Sequence, residues 1–503
     1  MRRILLALSL TAASLPLAAE VRIPNVFSDH AVIQRDKPVR VWGWARPGEH
    51  VTIAFHKQTR PATANEFGQW ETWLVPEIAG GPYTLTVSGD ATAAPITRSD
   101  LLVGDVWIAS GQSNMEMPLK GFATAPVKDS DKEIAAANFP RIRLLLQTRR
   151  PSAVPLADTD NTWSVCTPQS AKDFSAVAYF FGRAVQQHEK VPIGLIDTTW
   201  GGTPAMAWLS GSGAAFAGQT SVTNNGVDVI NESGRNDEIK ANWLAQDAAD
   251  KAAGRTPAQR GKINDRGQSY VPAALYNGMV APYVKYAIRG AIWYQGETDQ
   301  PINYAPFYSR VFSSMIQDWR RQWAQGDFPF LFVQLSSWGT PTPDGWNTVR
   351  DAQRRTLSLV NTGMAVTLDV GHPTNIHPGD KQTVGARLAA AALNISYGAK
   401  ADGFSPTLDE ATTEPDGMRA WLTHAEGLAP RPGAVDGFEI AGPDHKFVPA
   451  LARIEKIGDR TTVLATSTEV KDPRYIRYAW VAVSTNFLYN SAGLPMGTFT
   501  SEP

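Results

Sequence analysis

Five short apolar runs constrain this chain more than anything else in its sequence: LLVGDVWIAS from Leu101, VPIGLIDTTW from Val191, AIRGAIWYQG from Ala287, PFLFVQLSS from Pro329 and GMAVTLDVG from Gly363. Each is continuous rather than alternating, which suits strands covered on both faces. Between them lie helical patterns. SAVAYFFGRAVQQH sets Val177, Phe180, Phe181, Ala184 and Val185 on one side, and KQTVGARLAAAALNI aligns Val384, Leu388, Ala391 and Ile395. Buried strands alternating with amphipathic helices predict an α/β fold built on a parallel sheet.

The flanks have a different texture. From residue 20 to 99 apolar and polar residues alternate, as in VRVWGWA, HVTIAF and PYTLTVSG, where Tyr83, Leu85 and Val87 share a face; this predicts a small β domain. Residues 100–400 form the α/β core, with a polar, alanine-rich stretch at 218–267 that reads as a helical insertion. Alternation returns in GFEIAG, TTVLATSTEV and IRYAWVAV, so 401–503 is expected to be a second β-rich module packing on the first. A length of 503 residues fits about three structural units. Residues 1–19 join two arginines, an apolar stretch and a small-residue end, the pattern of a secretory signal peptide. The expectation is an exported protein, periplasmic or secreted, with no membrane insertion.

Composition excludes several classes. A formal net charge of -1 gives no footprint for nucleic acid and favours a neutral ligand. Cys166 is the single cysteine, which rules out an internal disulfide and a thiolate metal cluster, and NTWSVCTPQ offers no basic neighbour to activate it. GSGAAF at Gly211 misses a dinucleotide fingerprint because Phe216 takes the last glycine position, and GRTPAQRGKI lacks phosphate-loop spacing. Sixteen tryptophans exceed what a core needs, and exposed ones suit stacking on sugar rings.

Ligands of open α/β sheets gather at the carboxyl ends of the strands, and four run ends carry chemistry. Ser113 follows VWIAS in GQSN; Met115 breaks the G-x-S-x-G elbow, and alone this serine reads as a turn or cap residue. Gly201 and Gly202 follow VPIGLID. Paired glycines bring backbone N–H groups close to a ligand, as an oxyanion site requires, and are equally at home in a tight turn. Gln295 in WYQGETD aims a side-chain N–H at the same place, with Glu297 orienting the loop; a buried glutamine satisfied by backbone is the alternative. His377 precedes Pro378, a residue suited to a helix's first turn, and a serine attacks an ester only when a base takes its proton.

Together GQSNMEMP, TWGGTPAMAW, WYQGETD and NIHPGDK with VGARLA resemble the sialate O-acetylesterase family of the SGNH hydrolase group. The resemblance extends to FSDHAVIQRDKPVRVWGWARPGEHV near the start and to RYIRYAW and LYNSAGLPMGTF near the end. It implies an SGNH-hydrolase-like parallel sheet with helices on both faces, flanked by β-rich accessory modules. It further implies Ser113 as nucleophile, His377 as general base and later acid, and an oxyanion met by the backbone of Ser113, a glycine of the Gly201/Gly202 pair and Gln295. No cofactor and no metal is implied. The group's D-x-x-H spacing is met by Asp369 and His372, whereas Thr374 stands three before His377. The NIHP block selects His377 as base, leaving Asp369 as its orienter, with a backbone-steered dyad or a turn-capping aspartate as alternatives.

Trp338, Trp346 and Arg350 in QLSSWGTPTPDGWNTVRDAQ are candidates for the sugar site, core packing being the alternative for at least one tryptophan, and Trp200 and Trp293 border the oxyanion loops. The implied substrate is an acetylated oligo- or polysaccharide, either plant hemicellulose such as xyloglucan or xylan, or O-acetylated sialic acid, whose carboxylate would want an arginine such as Arg350. Two rivals stand beside this reading. A non-catalytic glycan-binding protein would need β modules and tryptophan but not both Ser113 and His377. A glycoside hydrolase would need paired carboxylates across a cleft, which the sequence does not place.

Overall fold

The computed structural model of the chain describes residues 20–503 apart from 93, 219–222, 225–226, 229–244, 247, 253–266, 302–303, 401–402 and 432. All five apolar runs become strands of one sheet. Its order is Thr362–Val366, Phe330–Gln334, Gly290–Tyr294, Ile96–Gly111, Ile193–Thr199, Phe139–Leu146 and Ser164–Cys166. Every pairing along this path is parallel except the last, where the edge strand runs antiparallel.

Helices cover both faces, and the register shows why. Trp107 lies opposite Gly290 and Ser110 opposite Trp293; three residues separate the members on each strand, so the two tryptophans point to opposite faces. Trp107 meets Phe181 of helix Ala176–Glu189 edge-on at 5.0 Å. Trp293 stacks on Phe312 of helix Tyr308–Trp323 at 6.1 Å. Both indoles are fully buried, and each large aromatic contributes about 1.5–3 kcal/mol through removal from water.

The strand Ile96–Gly111 is long enough to serve two sheets. Its first half pairs antiparallel with Gly80–Gly89 and parallel with Val32–Gln34; its second half is the centre of the α/β sheet. The boundary expected at residue 100 therefore falls inside a strand common to both modules. A separate antiparallel pair, Val39–Trp44 with Gln69–Leu74, completes the N-terminal module.

The C-terminal module contains two four-stranded sheets, and its described bonds run to the α/β core rather than to the first β module. Gln334 exchanges two hydrogen bonds with the Thr498 backbone, each 3.1 Å, and the Thr500 N–H donates to Asp351. The expected signal peptide lies outside the described residues. So does most of the 218–267 insertion, whose described parts hold a strand pair, Thr223–Asn224 with Val227–Asp228, besides helical residues at 248–252; that pair corrects a purely helical reading.

Gly111, at the carboxyl end of the shared strand, has φ +132°, and a Cβ there would sit 2.2 Å from the Tyr294 carbonyl oxygen. Gly111→Ala should cost about 1–3 kcal/mol in backbone strain alone, read as a lower denaturant midpoint; an unchanged midpoint would contradict this account of the strand end.

Candidate active site

Because the strands that carry them are parallel, the segments holding Ser113, Gly201–Gly202 and Gln295 leave the sheet at one edge, and His377 follows the strand Thr362–Val366 at that same edge. Ser113 opens the short helix Ser113–Glu116 directly past the shared strand. His377 sits in a turn four residues ahead of helix Lys381–Tyr397, whose cap is Asp380, its carboxylate accepting from the Thr383 N–H at 3.0 Å. Pro378 thus precedes the helix instead of starting it. The Ser113 Oγ lies 2.8 Å from His377 Nε2, and both residues are half-buried. Phe122 packs edge-on against the imidazole at 5.2 Å.

Burial, reinforced by the nearby Lys381 ammonium, pushes His377 down to about 4, so the ring is neutral through the physiological range. Among the described residues no carboxylate bonds the ring. Asp369, expected to orient it, instead receives Arg387 through both oxygens at 2.6 Å and the Tyr489 hydroxyl at 3.2 Å. A carboxylate so engaged joins the sheet edge to the C-terminal module and does not hold His377. His372 is exposed, its Nδ1 accepting from the Thr374 N–H at 3.2 Å.

The oxyanion candidates separate. Gly201 packs so closely on Ser113 that a Cβ there would lie 3.1 Å from the serine Cβ. Its N–H is taken by the Glu116 carboxylate, which also pairs with Arg149. The N–H groups of Ser113 and Gly202 have no acceptor among the described residues, and Ser113 adds the positive end of a helix turn. Gln295 is fully buried, with both amide hydrogens spent on the Thr203 carbonyl at 3.1 Å and Asp299 at 2.5 Å. It braces the glycine loop and presents no free donor, which corrects its expected role.

The sugar-site candidates behave differently again. Arg350 is fully buried and donates to the carbonyls of Leu335, Ser336, Val481 and Ala482 and to Asn347. Trp346 is buried, bonds the Ser336 carbonyl at 3.0 Å and packs against half-buried Trp338 at 5.1 Å. Arg350 therefore clamps the C-terminal module to the core, Trp346 is core packing, and neither can reach a sugar. Trp338 and Trp200 stay half-buried, and Trp293 is core.

Asn114 is the residue that the motif reading left without a role. Its Nδ2 donates to Glu297 at 2.5 Å and to the Ile376 carbonyl at 2.9 Å, while its Oδ1 accepts from Lys381 at 2.6 Å. Lys381 is completely buried, 5.4 Å above the Tyr294 ring, and burial pushes its amine down to about 7 against the pull of Glu297 and Asp380. Burial likewise raises Glu297. Lys381 lies in the quoted NIHPGDK block, and its place one turn after a candidate base was the available signal.

The chain is similar to several known proteins. Residues 251–394 match the family model described as carbohydrate esterase, sialic acid-specific acetylesterase. The chain is similar to a carbohydrate acetylesterase from Xanthomonas citri, 33% identical with a TM-score of 0.80, the match covering 96% of this chain and 99% of that one. It is also similar to the sialate O-acetylesterases of Rattus norvegicus, 26% identical over 96% of this chain and 94% of the relative, and of Homo sapiens, 29% identical over 77% and 73%.

Arg350→Ala leaves the carbonyls of Leu335 and Val481 without a donor, while Ser336 keeps Trp346 and Ala482 keeps the Trp338 N–H, so unfolding should become easier by more than about 2 kcal/mol. The KM of the folded enzyme for acetylated polysaccharide should stay within twofold. A raised KM without lost stability would return Arg350 to the sugar site.

Proposed function

Given that the chain belongs to the carbohydrate esterase, sialic acid-specific acetylesterase family, we propose that Ser113 and His377 carry its hydrolysis of O-acetyl esters on carbohydrates through an acetyl-enzyme. The observation that carries this reading is the 2.8 Å separation of Ser113 Oγ and His377 Nε2 at the carboxyl edge of the parallel sheet. His377 accepts the serine proton as Oγ attacks the acetyl carbon. The negative oxygen of the tetrahedral intermediate meets the free N–H groups of Ser113 and Gly202, where preorganised donors are worth about 2.7–4 kcal/mol each. Collapse expels the sugar oxygen, which takes the proton from His377. Water, deprotonated by the same imidazole, then releases acetate and restores Ser113. We assign the core to the SGNH hydrolases on the order of the four motif blocks, and the chain to the periplasm or exterior on residues 1–19.

The favoured substrate is a neutral acetylated wall glycan such as xyloglucan or xylan. The commitment of Arg350 to backbone carbonyls supports this, since it removes the arginine proposed for a sialate carboxylate. The alternative, O-acetylated sialic acid, is supported by half-exposed Arg149, joined through Glu116 to the glycine loop. Acetate release from acetylated xyloglucan, acetylated xylan and O-acetylated sialoglycans decides between them. Turnover of the sialoglycan alone would reject the neutral reading.

Ser113→Ala and His377→Ala should each lower cleavage of an aryl acetate by at least ~10³-fold in folded protein, whereas His372→Ala should retain most activity; the reverse ranking would reassign the base. The imidazole must be neutral to act and is neutral above its pKa. The acidic limb of kcat/KM should therefore fall near pH 4, the value at pH 5 remaining close to that at pH 7. Lys381→Met removes a cation that is charged across this acidic range, so His377 should titrate higher and the limb should move toward neutral pH. A wild-type limb near pH 6.5 would refute the buried-base account.

A further inference from the structure

A cleft of about 680 Å³ separates the strand pair Val39–Trp44 and Gln69–Leu74 from the α/β core. Trp44 lies opposite Gln69 and Trp42 opposite Glu71, so the four side chains share one face of the pair, and all four line the cleft. The far wall comes from the core and includes Ser210, Ser212, Tyr276, Asn277 and Lys285. The cleft contains neither Ser113 nor His377.

We propose that this cleft is a second carbohydrate site, holding a neutral stretch of the polysaccharide while Ser113 acts on an acetyl group elsewhere along it; the inference rests on the carbohydrate esterase reading above. Half-buried Trp44 offers an apolar plane to the C–H face of a sugar ring, with the Arg22 guanidinium 5.3 Å from its ring centroid. The exposed Gln69 carboxamide has no side-chain partner among the described residues, so its donors and acceptor are free for sugar hydroxyls. Glu71 is neutralised by Arg40 and by Lys285 at 4.0 Å, leaving the walls suited to an uncharged ligand. The volume lies within the roughly 300–1,000 Å³ of ligand pockets, which favour boundaries between modules. A buried segment, Thr203–Ser210, joins the glycine loop to the cleft wall in sequence.

The test uses the full chain carrying Trp44→Ala or Gln69→Ala. Aryl acetate cleavage should be unchanged, and KM for acetylated xyloglucan or xylan should rise roughly 5–10-fold at constant kcat, the scale of a lost stacking contact. Ser113→Ala protein should be retarded in gels containing chemically deacetylated xyloglucan or xylan, and the added Trp44→Ala should abolish the retardation. Unchanged KM and unchanged mobility with both substitutions would overturn the inference. Should Trp44→Ala lose aryl acetate activity through misfolding, the exposed Gln69→Ala decides. Retardation requires no ester cleavage, so Trp44-dependent retardation, together with a wild-type protein that releases no acetate, would sink the esterase reading and leave the cleft standing.

Discussion

Ser113 and His377 are held together by the carboxamide of Asn114, which is buried and has each of its hydrogen-bonding groups engaged. Asn114 follows Ser113 in the chain, and its bond to the Ile376 carbonyl fixes the residue before His377. One side chain thus ties the serine turn to the histidine turn, although more than two hundred residues separate them (|i−j| = 262). Glu297 and Lys381 fix the orientation of the amide by bonding its two ends. Away from water such bonds are stronger, and leaving one unmade is costly. The arrangement carries that cost already, since the second oxygen of Glu297 has no partner among the described residues. Consistency is commonly sacrificed in this way near reactive groups.

The same burial sets the chemistry. A solvent-exposed histidine is half protonated near pH 6.5; His377, half-buried beside an ammonium group, binds its proton much more weakly. It keeps its lone pair available where an exposed ring would lose it, at the expense of basicity. Where a carboxylate would have reversed this, the structure has diverted Asp369 to Arg387.

What was legible in the sequence had local causes. Strands buried on both faces need unbroken apolar runs, so the five central strands declared themselves. Phe139–Leu146 did not, because the arginines of FPRIRLLL interrupt its run. The junctions holding Ser113 and His377 were legible from small residues and prolines that mark turns, whereas their pairing rested on the family resemblance. The roles expected of Gln295, Asp369 and Arg350 rest on family resemblance, on D-x-x-H spacing and on residue type, none of which says anything of a partner far along the chain. The carbonyls that capture Arg350 include those of Val481 and Ala482, more than a hundred positions away. A side chain with that many donors looks like a ligand-binding group until its acceptors are placed.

The shared strand Ile96–Gly111 gives the two modules a common pleat. Side-chain direction alternates residue by residue from Leu101 to Ser110, while an irregularity at Asp100, whose φ is +56°, sets off the outermost residues Ile96–Arg98. A one-residue slip where Val32–Gln34 pairs with Leu102–Gly104 would put the N-terminal module on the wrong phase of the run that ends at Ser110. The N-terminal module is therefore no detachable appendage. It acts as a ruler laid against the strand that leads to Ser113, and a cut at that seam would leave the core without its measure.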